Sequence, residues 1–380
     1  MYILSIVFSN HCDLDCSYCC IQSKNESPIL ANMGRIKDFV SKYAQKGSVV
    51  EFYGGEPTLH KKEIFEIIDF CKSLNMGIRT RLYTNGLFVN WTEEEILSLS
   101  NNLDEVLVSL DGSTFEENRQ RFESQAQFES VLNNIRTMRK ADELDITLSS
   151  VLYGRVKYER MFENYKFFSA LGIDTFSYEP VTIYRTDKAV IIPRDFFGSL
   201  FKGIMEISRD ICISGEEKAL FVAKEILAAS WYHQGDKDLC SKNVRAISPR
   251  GNIYMCRDHA ANEEEMFYAP KVIQFFNKNN LKSDNESFPV VEENEKELTH
   301  CPVKNIQYKQ AGVEKDLYWL KDSWQDFVVK PMYSTIIAVN SQDEKLPEII
   351  DYFYPKIDTL LSLAIKQEEE VERKTDGLSS

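Results

Sequence analysis

Three cysteines near the start of the chain have a spacing that suits an iron–sulfur centre. Cys12, Cys16 and Cys19 stand in the pattern C-x3-C-x2-C. A [4Fe–4S] cluster is normally held by four cysteine thiolates, so three closely spaced ligands would leave one iron open to a small molecule. A zinc knuckle is the alternative, but zinc sites favour two pairs of ligands separated by a spacer, and no second pair follows.

Further motifs occur where apolar segments end. The run Gly54-Gly55-Glu56-Pro57 follows the apolar stretch Val49–Tyr53, and two adjacent glycines allow the backbone to approach a ligand closely. A second turn reads Tyr83-Thr84-Asn85-Gly86, and a third reads Ser109-Leu110-Asp111-Gly112. Each motif is common by itself, but together they follow the cysteine loop in a regular order.

This combination resembles the radical S-adenosylmethionine (SAM) superfamily. In that family the open iron binds the amino and carboxylate groups of SAM, and an electron from the cluster cleaves SAM to a 5′-deoxyadenosyl radical. Tyr18 occupies the aromatic position before the third cysteine. The resemblance implies that the GGEP turn meets the amino group of SAM, through four residues: Gly54, Gly55, Glu56 and Pro57.

The resemblance extends to other candidate SAM contacts. The SLDG run with Asp111 is typical of the SPASM subgroup, in which a His-Asp pair and an Arg follow; here Glu117 and Asn118 take the pair's positions, and Arg121 has the expected spacing. A guanidinium pairs well with a carboxylate. A surface pairing of Arg121 with Glu116 or Glu117 is the alternative, and Asn85 could belong to an ordinary tight turn. The remaining candidates are Ser109 for the carboxylate, Ser150 for the ribose and Val181 for the adenine.

A second cysteine group lies later in the chain. Cys240 and Cys256 flank a Pro249–Asn252 turn that predicts a hairpin, and Cys301 follows. The spacing resembles the start of SPASM and "twitch" auxiliary-cluster domains, but the later cysteine run of a full SPASM domain is missing. One auxiliary cluster is therefore expected, and structural cysteines without a cluster are the alternative. The fourth ligand stays open among His259, His300, Cys212, substrate and water.

Three residues are candidates for direct roles in catalysis. Sulfatase-maturing relatives have an Asp directly after the cysteine that matches Cys256; here that position is Arg257, so sulfatase maturation is disfavoured. Asp258, one position later, could act as a base or be solvated. Cys20 and Cys212 could donate a hydrogen atom or be packed thiols, whereas Cys71 lies on an apolar helix face and is expected in the core.

The elements that position these motifs alternate between strand and helix. Two helices have apolar residues on one face, Lys61–Leu74 and Tyr158–Leu171, and Gly172 ends the second. Alternating strands and helices predict a parallel sheet with helices outside, and the resemblance implies a partial (β/α)6 barrel. The predicted strands are Ile3–Phe8, Val49–Tyr53, Ile78–Thr84, Glu105–Leu110, Ile146–Leu152 and Thr175–Tyr178.

The barrel is expected to occupy residues 1–192, before three further regions. Residues 193–239 read as a helical linker, 240–310 as the auxiliary-cluster region, and 311–380 as a mixed α+β extension with a frayed acidic tail. Within that extension, Tyr333–Val339 could offer an edge for strand addition to a peptide, although pairing inside its own domain is the simpler expectation.

Composition narrows the function classes. The 380 residues carry a net charge of −14, and an acidic chain would be repelled by nucleic acid phosphates. No apolar run is long enough to cross a bilayer, and the N-terminal apolar stretch is too short for a signal peptide, so we expect a cytoplasmic protein. An electron donor such as flavodoxin or ferredoxin is the implied partner.

The reaction class follows from the resemblance. Auxiliary-cluster members most often modify peptides or protein side chains, so peptide maturation by crosslinking, oxidation or epimerisation is the leading hypothesis. One rival is a twitch-type enzyme for a sugar or nucleotide. The other is an iron–sulfur sensor, which would have no need of a SAM-binding turn.

Overall fold

Eight strands form one sheet in the computed structural model of this chain. The structure describes residues 2–19, 21, 33–152, 158–173, 175–180, 244–254 and 257–261. The strand order is β6-β5-β4-β3-β2-β1-β7-β8, and every described pair is parallel except the antiparallel pair β7–β8. The strand bounds are β1 Ile3–Val7, β2 Val49–Tyr53, β3 Arg79–Thr84, β4 Glu105–Ser109, β5 Asp145–Leu152, β6 Thr175–Pro180, β7 Val244–Ile247 and β8 Ile253–Tyr254.

The first six strands confirm the predicted parallel α/β architecture. Their order in the sheet follows their order in the chain, as expected for repeated strand–helix–strand units. The predicted bounds differ from the observed ones by at most two residues at each end. All six strands run in one direction, so the loops after them meet at one edge of the sheet.

Within the described ranges, five α-helices lie between consecutive parallel strands, and a sixth, short helix follows β8. Their bounds are α1 Met33–Tyr43, α2 Lys61–Ser73, α3 Glu93–Ser100, α4 Gln125–Met138, α5 Tyr158–Ala170 and α6 Arg257–Ala261. Helix α2 buries Ile64, Ile67, Ile68 and Cys71, so the predicted apolar face is confirmed. Gly172 has a φ of +74°, which favours glycine at the end of α5. One core joins helices α1 to α5 to Ile6, Phe52, Leu82 and Val106 of the sheet, and α6 packs in a separate cluster.

The predicted hairpin after β7 is confirmed. Gly251 has a φ of +81°, and its amide donates to the Ser248 carbonyl at 2.8 Å. Strand β7 also pairs in parallel with β1, so the hairpin extends the main sheet. The pairing of β7 with β1 was not predicted, because the two strands are far apart in sequence and no local pattern indicates which strands pair.

No helix in the described parts of the chain is long and apolar enough to cross a membrane. The boundaries expected at residues 192, 239 and 310 lie outside the described residues, as do all of 311–380 and the segment Tyr333–Val339.

Candidate active site

The cluster loop, residues 8–19, leaves the sheet at the carboxyl end of β1. None of its three candidate ligands forms a disulfide: Cys16 is buried, and Cys12 and Cys19 are half-buried. A turn closes the loop, with the Cys19 amide donating to the Cys16 carbonyl at 3.2 Å. The thiol of Cys12 accepts the Leu14 amide at 3.4 Å. Three separate thiols are thus presented on one short loop.

Burial disfavours the thiolate of Cys12 in the absence of a metal. Its pKa lies well above the usual range, first because of burial and then because Glu56 lies nearby. Metal binding requires the deprotonated ligand, so a positive centre would offset this cost. Among the described residues, no three Cys, His, Asp or Glu side chains converge on one metal ion. A cubane does not require that convergence, since each cysteine binds a different iron.

The Gly54-Gly55 turn packs directly against the cluster loop. The amide of Gly55 donates to the Ser9 carbonyl at 2.9 Å, and the amide of Glu56 donates to the His11 carbonyl at 2.9 Å. A Cβ atom on Gly55 would lie 2.0 Å from the His11 oxygen, and one on Gly54 would lie 2.5 Å from the Ser9 oxygen. Both glycines are therefore required for this contact.

Glu56 joins the turns that follow β2 and β3. Its Oε1 accepts from the Thr58 amide at 3.0 Å, from the Thr58 hydroxyl at 2.7 Å and from the Thr84 hydroxyl at 2.8 Å. Its Oε2 accepts the Asn85 amide at 2.7 Å. Burial raises the pKa of Glu56 to about 7. The carboxylate is thus engaged by the protein, and a contact with SAM stays a prediction. Pro57, also buried, begins the short 3-10 helix Pro57–His60.

Asn85 connects the third turn to the cluster loop. Its side-chain amide donates to Asp13 Oδ1 at 2.6 Å and lies 3.9 Å from the thiol of Cys12. Its side-chain oxygen accepts the Leu87 amide at 2.9 Å. Asn85 does belong to a tight turn, which was the alternative to a contact with SAM. Its side chain also lies near Cys12, a candidate cluster ligand.

Asp111 and Arg121 form a buried ion pair beside Cys16. Arg121 Nη2 lies 3.1 Å from Asp111 Oδ1, and their side chains are only 7% and 3% exposed. The Tyr18 hydroxyl donates to Asp111 Oδ2. Arg121 Nη1 lies 4.0 Å from the Cys16 thiol. The surface pairing of Arg121 with Glu116 or Glu117 is therefore wrong: Glu116 pairs with Arg119 at 2.7 Å, and Glu117 pairs with Arg160 at 2.7 Å.

Asn118 is a supporting residue whose role the sequence did not reveal. It is fully buried, its Oδ1 accepts the Asp111 amide at 2.8 Å, and its Nδ2 donates to the carbonyls of Gly112 and Thr114 at 2.8 and 2.7 Å. The only signal in the sequence was its place in the incomplete His-Asp pattern. The amide supplies both a donor and an acceptor, which a carboxylate cannot do.

Two serines predicted to contact SAM lie at the same edge. Ser109 is the last residue of β4 and is half-buried. Ser150 is buried, and its hydroxyl donates to the Leu110 carbonyl at 2.6 Å. The structure thus brings both serines to the edge where the turns meet, and their roles toward SAM stay predictions.

A charged row crosses the opposite face of the sheet from the main core. The register places five residues side by side on β1 to β5: Ser5, Glu51, Arg81, Glu105 and Asp145. The Ser5 hydroxyl donates to Glu51 Oε1 at 2.5 Å, and Arg81 pairs with Glu105. Alternation along each strand separates this row from the apolar residues that face the helices.

Arg257, the first residue of α6, reaches this row from far along the chain. Its Nη1 lies 3.4 Å from Glu51 Oε1. Its guanidinium also lies 4.8 Å from the Tyr53 ring and 4.6 Å from the Tyr83 ring. Both tyrosines stand directly before the turns at Gly54 and Thr84. Arg257 thus contacts the residues that precede both turns. The only sequence signal at this position was that sulfatase-maturing relatives have an Asp there.

The other candidate residues lie partly or wholly outside the part of the chain that the structure describes. Asp258 belongs to α6, but its side chain is not described. The following residues lie outside the described residues altogether: Cys20, Cys212, Val181, Cys240, Cys256 and Cys301.

Comparison with known proteins agrees with this geometry. Residues 6–168 match the Radical SAM superfamily. The crystal structure of Streptococcus suis SuiB bound to precursor peptide SuiA has a TM-score of 0.53 at 15% identity, over 80% of this chain and 70% of SuiB. Native anSMEcpe with bound AdoMet has a TM-score of 0.55 at 17% identity, over 95% of this chain and 99% of that protein. No curated protein matches the sequence. At these identities the structural likeness concerns the fold.

Proposed function

Because this chain carries a radical SAM domain over residues 6–168, we propose that Cys12, Cys16 and Cys19 hold a [4Fe–4S] cluster that binds SAM. When bound, the cluster and SAM supply a 5′-deoxyadenosyl radical that abstracts hydrogen from an unactivated carbon. The protein's own part is to hold the ligands, orient SAM and substrate, and exclude water.

The contact between the cysteine loop and the GGEP turn is the observation that carries this proposal. The loop presents three thiols that form no disulfide, and the turn meets the same loop through Gly54 and Gly55, where no side chain fits. A simple iron–sulfur binding protein needs the thiols but gains nothing from this close approach. The pairing of both features at one sheet edge favours an enzyme that binds a second molecule at the cluster.

Buried polar atoms without partners support a ligand beside the cysteines. Among the described residues, four buried side-chain atoms have no hydrogen-bond partner, and three of them belong to the cluster loop or to Arg121 beside Cys16: Asn10 Oδ1, Asp13 Oδ2 and Arg121 Nε. The fourth, Glu51 Oε2, lies in the sheet, 3.7 Å from Arg81 Nη1. Such groups are costly to bury unless something pairs with them. The two oxygens of the cluster loop would suit the ammonium group of SAM, and the guanidinium suits an anionic group. These residues therefore fit a zwitterionic ligand bound next to the cluster.

We propose a peptide or protein side chain as the substrate. SuiB, which shares the fold, was solved with a precursor peptide, and anSMEcpe was solved with AdoMet and the Kp18Cys peptide at a TM-score of 0.51 and 17% identity. The net charge of −14 is compatible with a basic peptide. On this proposal the reaction is a crosslink, an oxidation or an epimerisation of the peptide.

The SAM chemistry is tested by anaerobic reconstitution of the full chain with iron and sulfide, followed by reduction with dithionite in the presence of SAM. We expect 5′-deoxyadenosine from the wild type and none from Cys12→Ala, Cys16→Ala or Cys19→Ala. Cys71→Ala is the matched control, because Cys71 is a free buried thiol in the core. A wild type that binds iron but forms no 5′-deoxyadenosine would overturn the enzyme proposal.

The substrate class is tested separately, with short peptides encoded beside the gene. The reduced enzyme and SAM are incubated with each peptide, and the products are analysed by mass spectrometry. We expect a mass change in one peptide, localised to a single residue. A sugar or nucleotide that is converted, while every peptide stays unchanged, would replace the peptide proposal by the small-molecule one.

A further inference from the structure

The loop that carries Arg121 is joined to the cluster loop by hydrogen bonds. The Ser17 amide donates to the Gln120 carbonyl at 3.0 Å, and the Ser17 hydroxyl donates to the Gln120 side-chain oxygen at 2.6 Å. Ser17 and Gln120 are the immediate neighbours of Cys16 and Arg121. The two hydrogen bonds between Ser17 and Gln120 therefore hold the Cys16 thiol close to the Arg121 guanidinium.

The guanidinium of Arg121 is shared among three groups. Nη2 pairs with Asp111 at 3.1 Å, Nη1 lies 4.0 Å from the Cys16 thiol, and the guanidinium carbon lies 5.5 Å from the Tyr18 ring centre. Nε is buried and has no hydrogen-bond partner among the described residues. Arginine holds its charge under all ordinary conditions, so this site keeps a fixed positive charge next to one thiol.

Asp111 is held firmly enough to fix the orientation of Arg121. The backbone amide of Asp111 donates to Asn118 Oδ1. The side-chain Oδ1 of Asp111 accepts the Val151 amide at 3.0 Å. The Tyr18 hydroxyl donates to the other oxygen. Asn118, Asp111 and Arg121 are all buried, so few side-chain rotamers are open to this hydrogen-bonded series.

We propose that Arg121 is a positioning residue for the Cys16 thiolate and makes the cluster easier to reduce, an inference that rests on the proposed cluster site. Reduction adds one negative charge to a cluster whose ligands are already anionic. A fixed positive charge at this distance favours the more negative state, and weak screening in a buried site preserves the effect. Asp111 cancels part of that charge, so the two residues act on the potential in opposite directions.

The test is a redox titration of the reconstituted full-length protein, followed by electron paramagnetic resonance. It is carried out without SAM, so that no contact between Arg121 and SAM contributes. The variants are Arg121→Met, Arg121→Lys, Asp111→Asn and the double variant Arg121→Met/Asp111→Asn. The double variant removes both charges, so it leaves no unpaired ion in the core if the single variant fails to fold. Arg119→Met is the matched control, because Arg119 lies on the same loop with a side chain that is 61% exposed.

We expect Arg121→Met to shift the potential to more negative values, and Asp111→Asn to shift it to more positive ones. The expected size is about a tenfold change in the oxidised-to-reduced ratio, or about 59 mV for a one-electron couple. The double variant should lie below Asp111→Asn, Arg121→Lys should be shifted less than Arg121→Met, and Arg119→Met should match the wild type.

Equal potentials in Asp111→Asn and the double variant would overturn this inference. A shift in Arg119→Met as large as that in Arg121→Met would also overturn it. Failure of the underlying function has a different signature. In that case the wild type and Cys12→Ala/Cys16→Ala/Cys19→Ala would give the same cluster spectrum, and the inference about Arg121 would fall with the cluster site.

Discussion

Gly55 shows how a single missing atom can define the site. Its position would place a Cβ 2.0 Å from the His11 carbonyl oxygen, which is a backbone atom of the cluster loop. A flexible side chain could move away from such a clash, but a carbonyl bonded to the Glu56 amide at 2.9 Å cannot do so cheaply. The glycine is needed for close approach rather than for turn geometry.

We therefore predict that Gly55→Ala displaces the cluster loop. The expected result is a loss of about four irons per chain after reconstitution, those of the cluster on Cys12, Cys16 and Cys19, and a lower midpoint temperature of the apo-protein. Iron per chain and thermal unfolding measure the two effects. Gly47→Ala is the control, because Gly47 has a φ of +75° but no atom within 4 Å of an added Cβ. The Gly47→Ala variant should lose about 1–2 kcal/mol of stability through backbone strain and should bind as much iron as the wild type. Full iron in Gly55→Ala would contradict the close packing.

Glu56 is a second residue whose role can be separated from SAM binding. We predict that Glu56→Gln destabilises the apo-protein by about 1–3 kcal/mol, because the new amide donor would face the Asn85 amide that the carboxylate now accepts. Urea unfolding of the apo-protein measures the loss. An unchanged free energy of unfolding would show that the carboxylate does not join these turns in solution.

At the scale of elements, the loop after β4 explains an incomplete motif. The sequence identifies Arg121 by its spacing, whereas Glu117 and Asn118 depart from the family's pattern. In the structure both residues have protein partners, since Asn118 bonds the loop backbone and Glu117 accepts from Asn164 of α5 at 3.0 Å. A motif records which residues occur, whereas the hydrogen-bond partners depend on how the loop folds.

The six parallel strands could be predicted because each has its own apolar run and its own turn. Helix α2 was equally clear, since Ile64, Ile67 and Ile68 recur at helical spacing. The position of Arg257 could not be predicted in this way, because Arg257 and its partner Glu51 are 206 residues apart. Long-range pairing depends on the strand order around β1 and β7, and no local pattern contains that information.

Helix α6 has only five residues, so we infer that Arg257 is its main anchor. We predict that Arg257→Met lowers the free energy of unfolding by about 1–2 kcal/mol, through loss of the Glu51 pair and of both ring contacts. Hydrogen exchange should increase at residues 257–261. Arg250→Met, at the exposed position of the hairpin turn, is the control. Unchanged exchange in Arg257→Met would show that α6 is held by its alanines instead.

At the scale of the whole molecule, the sheet gathers motifs that are far apart in sequence. The turns after β1, β2, β3 and β4 contribute the cysteines, the glycines, Asn85 and Asp111 to one edge. Parallel strands make this inevitable, since their carboxyl ends point the same way. The edge could be predicted from the sequence, but the hydrogen bonds across it depend on side-chain packing.

The later cysteines make a separate prediction for the full chain. If Cys240, Cys256 and Cys301 hold an auxiliary [4Fe–4S] cluster, the reconstituted wild type should contain about eight irons per chain. Replacing these three cysteines by alanine should leave about four. Iron analysis with protein quantification measures both values. Equal iron contents in the two proteins would exclude the auxiliary cluster and leave the cysteines as structural thiols.

The most direct test of the central claim is electron paramagnetic resonance of the reduced protein before and after addition of SAM. The three N-terminal cysteines should give a [4Fe–4S] signal that SAM alters, in the wild type and in Cys71→Ala alike. Cys12→Ala/Cys16→Ala/Cys19→Ala should lose the SAM-sensitive signal. A SAM-sensitive signal that survives the triple replacement, or a wild-type signal that SAM leaves unchanged, would contradict the account.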